Sequence, residues 1–151
     1  YIRYPTDWQK VTENFNKAQN LPKSVALKIY FVYQAWNVFD VKPLIEWLEK
    51  IQVRRIDFVP IFLEHPDQLH STVWPSYVQK KIISKLQSIK TQQHRDPVNR
   101  IINYTLNSDK YSAEQLYKMK EFIDINDKHR KYQFADVFPE LNSILETECK
   151  I

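Results

Sequence analysis

The chain has 151 residues, 43% hydrophobic and 14% aromatic, a composition that supports one buried core and excludes global disorder. Its 22 basic and 18 acidic residues leave a net charge of +4, short of the density that marks a dedicated nucleic-acid binder. The absence of glycine excludes P-loop and glycine-rich dinucleotide motifs, and the single Cys149 excludes an internal disulfide.

The pattern begins with a capping box, Thr6 to Gln9, which predicts a helix with Trp8, Val11, Phe15 and Ala18 on one face. Asn20-Leu21-Pro22 ends it. Ser24 to Gln34, rich in branched and aromatic residues, reads as a largely buried strand. Asp40 is placed to cap the next helix, whose inner stripe is Leu44, Leu48 and Ile51, widened by Ile45 and Trp47. Val53 to Leu63 reads as a second strand, with Pro60 marking an edge or a bulge because proline has no N–H to donate. Strand, helix and strand with short joints make a βαβ unit, hence two parallel strands with a right-handed crossover.

Everything after Pro75 reads as helix. A first run turns Val78, Ile82, Leu86 and Ile89 inward, and Asp96-Pro97 opens a second carrying Ile101, Ile102 and Leu106. Ser112 to Gln115 is another capping box, leading into Leu116, Met119, Phe122 and Ile123, and a last helix near Pro139 carries Leu141, Ile144 and Leu145. The expected organisation is one domain over 1–151, with a βαβ-containing segment at 1–74 and a helical segment at 75–151. No apolar run reaches membrane-spanning length and no secretory signal is visible, so a cytoplasmic protein without membrane contact is expected.

Two strands make a poor parallel sheet. Such sheets are normally buried on both faces, and unpaired edges invite association. The missing strands are therefore expected from a second copy of the chain, as a homodimer, or from an N-terminal half of the polypeptide outside these residues.

The stretches YIRYPTDWQKVTENF, LKIYFVYQAWNVFDVKPLIEWL, IDFVPIFLEHPDQL and FIDINDKHRKYQFADVFPEL, in this order, resemble radical S-adenosylmethionine proteins of the twitch type. The resemblance spans nearly the whole chain and corresponds to the later part of that family's barrel. It implies an α/β fold, a helix-rich partial (βα) barrel whose parallel βαβ unit is followed by a C-terminal helical group. The family's 4Fe–4S cluster hangs on three cysteines in a CxxxCxxC loop, which this chain lacks along with the glycine-rich cofactor segment. The cluster and S-adenosylmethionine are thus implied only for a complete family member. The implied function is a C-terminal or split unit of such an enzyme, supplying barrel strands and part of the pocket, and inactive alone. The alternative from a different class is a non-enzymatic homodimeric assembly or binding module.

Candidate site residues follow the strands, where α/β proteins bind ligands. The resemblance places Asn37, then Gln34, on the cofactor side, against the plainer reading that Asn37 supports the turn. Trp36 beside them offers a ligand shelf if its ring is exposed. Glu64 and His65 are weak candidates for substrate contact. With Asp67 and His70 they put two histidines and two carboxylates within one short loop, but Pro66 breaks any helix that would align them, so a solvated loop is favoured over a metal site. No catalytic residue is assigned. Lys80, Lys81, Lys85, Lys90, His94, Arg95 and Arg100, and the segment Lys128 to Tyr132, read as the wet faces of helices in preference to a nucleic-acid surface. Asp127 and Arg130, three apart on a helix, are expected to pair with each other or to cap neighbouring groups.

Overall fold

A computed structural model describes residues 7–51, 55–108 and 111–149. In chain order these form α1 (Trp8–Gln19), β1 (Lys28–Tyr33), α2 (Val41–Ile51), β2 (Asp57–Phe62), α3 (Ser76–Gln87), α4 (Arg95–Asn107), α5 (Ala113–Asp127), the short α6 (Phe134–Val137) and α7 (Pro139–Glu148). Short 3-10 turns at Ala35–Asn37 and Asp67–Leu69 follow the two strands. The fold is helix-rich α/β, as the sequence predicts, and among the described residues the only sheet is the parallel pair β1–β2. None of the described helices is long and apolar enough to cross a membrane.

Most element starts match the sequence signals. Ser112 accepts the Gln115 N–H at the head of α5, and α7 begins on Pro139. The predicted cap Thr6 lies outside the described residues. Asp7 caps α1, accepting the N–H groups of Gln9 and Lys10 at 3.0 and 3.2 Å. Both strands are shorter than predicted, because the flanking residues 24–27 and 55–56 fall outside the regular ladder, and Val53 lies outside the described residues. Leu106 is a correction: it is exposed, and Val98 and Thr105 share the inner stripe of α4 with Ile101. On α2 the expected Leu48 and Ile45 are buried, joined by Val41, while Leu44 and Trp47 pack against the core half-buried.

The ladder's parity decides what the sheet presents. Asp57 N–H bonds to Leu27 O and Leu63 N–H to Tyr33 O, so the odd-numbered backbone groups of both strands face each other. The even-numbered groups at 28, 30 and 32 and at 58, 60 and 62 point away. Pro60 therefore sits where its missing N–H costs the ladder nothing, as the edge reading of this residue requires. Side chains alternate in step. Ile29, Phe31, Tyr33, Phe58, Pro60 and Phe62 turn toward the helices, with Phe31 on Phe58 and Tyr33 edge-on to Phe62. The opposite face is left open: Tyr30 is 62% exposed and Ile61 44%.

The helices pack on the inner face and around the strand ends. Trp47 of α2 receives Trp8 and Phe15 of α1, and α4 packs against β2, its Tyr104 ring stacked on Phe62 at 3.8 Å. Trp74, fully buried, ties the segment after β2 to the turn after β1 through its indole N–H on Ala35 O at 2.9 Å. Trp74→Phe keeps most of the packing but leaves that carbonyl unpaired. Urea unfolding should show a loss of about 1–3 kcal/mol, the cost of a buried polar group without a partner.

Candidate functional site

The turn after β1 is built by Asn37. Its side-chain oxygen accepts the Gln34 N–H at 2.9 Å, and its amide nitrogen donates to Val32 O at 2.8 Å. One residue thus closes the strand end and satisfies an outward-facing carbonyl of β1. Gln34 is buried beside it. Trp36 lies inside, 4% exposed, stacked on Phe122 of α5 at 5.6 Å and edge-on to Phe134 of α6. The open shelf that an exposed Trp36 would offer is not formed. The ring instead anchors the helical segment to the strand end.

The loop after β2 divides its four titratable residues into two pairs. His65 and Asp67 stay at the surface, their side chains 3.2 Å apart. His70 is fully buried and reaches back to Glu64, Nε2 lying 3.4 Å from Oε2. The Thr72 N–H donates to His70 Nδ1 at 3.3 Å, so that nitrogen is an acceptor and the proton of the neutral ring sits on Nε2. Nε2 faces the Tyr104 hydroxyl at 2.5 Å, and that hydroxyl donates to Glu64 Oε1 at 2.7 Å. An imidazole, a phenol and a carboxylate form a relay that pins the strand-end loop to α4. Tyr33 makes a separate buried contact further in, its hydroxyl 3.5 Å from Thr105 Oγ1.

The sequence placed Glu64 and His70 together in this loop but not Tyr104 beside them. Tyr104 lies 34 positions beyond His70 and met no local rule. The available signal was a tyrosine between the buried Ile101 and Thr105 on α4, where a phenol tip needs a partner.

Among the described residues no three His, Cys, Asp or Glu side chains are grouped to hold a metal ion. Cys149, beyond the end of α7, has its thiol pKa pushed up by burial and stands alone, so these residues do not fit an iron–sulfur cluster. The lysine-rich helix is partly engaged in packing: Lys81 and Lys85 both hold Glu140, and Lys85 lies 4.0 Å from the Phe39 ring centre. His94 is buried edge-on to Phe58, and burial pulls its pKa down, opposed by Glu49. Asp127 accepts the Phe134 N–H at 2.9 Å, the helix-end role expected of it. Comparison with protein-family models, curated proteins and solved structures gives no match.

Burial raises the pKa of Tyr33 and Tyr104; the Thr105 hydrogen bond opposes this at Tyr33, and the Glu64 carboxylate adds to it at Tyr104. A folded-state pKa above the unfolded value of about 10 gives stability that is complete below that pH and lost as pH rises past it. Among the described tyrosines, these two should ionise last and together with unfolding. Phenolate absorbance followed alongside circular dichroism checks this, and Tyr104→Phe should leave one late phenol.

Proposed function

We propose that the chain is the C-terminal part of a radical S-adenosylmethionine enzyme of the twitch type. It contributes two barrel strands and one wall of the pocket, and it does not cleave the cofactor by itself. The observation that carries this reading is the one-sided sheet. Among the described residues, a parallel βαβ unit with helices on one face, exposed Tyr30 and Ile61 on the other and a β1 edge without backbone partners is what one part of a closed (βα) barrel presents when separated from the rest.

The strand ends support it. Gln34 and Asn37 follow β1, and Glu64 and His65 follow β2, all at the end where barrels place their chemistry. In this reading the turn built by Asn37 faces the cofactor and the loop held by His70 and Tyr104 faces the substrate. The cluster ligands and glycine-rich segment come from elsewhere in the polypeptide or from a partner subunit.

Sequencing the source DNA on the 5′ side of the Tyr1 codon tests this. An in-frame extension encoding a CxxxCxxC loop is expected. A stop codon there, followed by a start codon for this chain and with no neighbouring gene encoding the cluster loop, would overturn the proposal.

A further inference from the structure

The two edges of the sheet are not equivalent. On the outer edge of β2 the central outward position is Pro60, which has no N–H, and α4 packs beside that strand. The outer edge of β1 keeps the N–H groups of Lys28, Tyr30 and Val32 and the carbonyls of Lys28 and Tyr30, with no backbone partner among the described residues. The carbonyl of Val32 accepts from Asn37 and retains a second lone pair.

This edge is complementary to itself. Rotating a second copy about a two-fold axis through Tyr30 sets Tyr30 opposite Tyr30 and Lys28 opposite Val32, each in the mutually bonded geometry of an antiparallel pair. Every outward N–H on β1 then meets an outward carbonyl. Lys28 does not face its own copy, so no like charges oppose each other at the seam. The partly exposed Tyr30, Val32, Val59 and Ile61 of both copies would lie on one face of the resulting sheet.

We propose that the 151-residue chain associates with a second copy through an antiparallel β1–β1 seam, giving a four-stranded sheet of order β2-β1-β1-β2. A seam of three residues per strand buries less than a standard interface, so the dimer is weak. The inference concerns the 151-residue chain by itself; in a complete barrel the added strands would pair with this same β1 edge and take the place of the seam.

Tyr30→Pro tests the seam. Like Pro60, it removes an outward N–H and leaves the β1–β2 ladder intact; Tyr30→Thr keeps the N–H and controls for loss of the ring. Sedimentation velocity over a concentration series should show wild type and Tyr30→Thr dimerising, with Tyr30→Pro weakened at least tenfold while its circular dichroism is unchanged. A wild type that stays monomeric to millimolar concentration would overturn the inference. So would a dimer that Tyr30→Pro leaves intact, since it would use another surface.

Discussion

Two parallel strands must be covered before they are worth forming, and this constraint organises the molecule. A parallel pair lacks a hairpin and needs a crossover, here α2, and it leaves two edges and two faces to be dealt with. The chain spends its helices on one face. α2 and α4 bury the odd-numbered side chains of β1 and the even-numbered ones of β2, and Trp36 and Trp74 lock the strand ends to the segments that follow. Among the described residues this leaves an exposed face bearing Tyr30 and Ile61 and a β1 edge without backbone partners. Those two features carry both the proposed place of the chain in a larger barrel and its proposed self-pairing.

The strand ends combine rigidity with polarity. Asn37 closes one loop by bonding to backbone on both sides of the turn, and His70 closes the other by joining Thr72, Tyr104 and Glu64. A fully buried histidine whose ring nitrogens meet polar neighbours sets the loop conformation without a metal or glycine. The glycine-free composition is consistent with this construction. None of the described residues has a positive φ, so no turn demands the freedom that only glycine provides.

The sequence revealed the fold class because the βαβ signal and most caps are local. Branched and aromatic runs marked both strands, Pro60 marked the edge, and Ser112 and Pro139 marked helix starts. It was less informative where tertiary contacts decide. Thr105 rather than Leu106 faces the core because its neighbour Tyr104 stacks on Phe62 and the helix rotates accordingly. His65 and His70 look equivalent in sequence, yet one is at the surface and the other is fully enclosed, since only His70 meets α4. The short α6 escaped notice because its four residues are too few for periodicity, although Gln133 and Asp136 form a local capping box at its start; Asp127 of the preceding helix adds a bond to the Phe134 N–H.

The central claim is that β1 is paired on one side only. Amide hydrogen exchange resolved by residue, on protein dilute enough to be monomeric, tests it directly. Protection should alternate along the strand, with Ile29, Phe31 and Tyr33 slow and Lys28, Tyr30 and Val32 fast. Uniform slow exchange through all six would mean that the outer edge is already covered within the chain. That result would contradict the one-sided sheet.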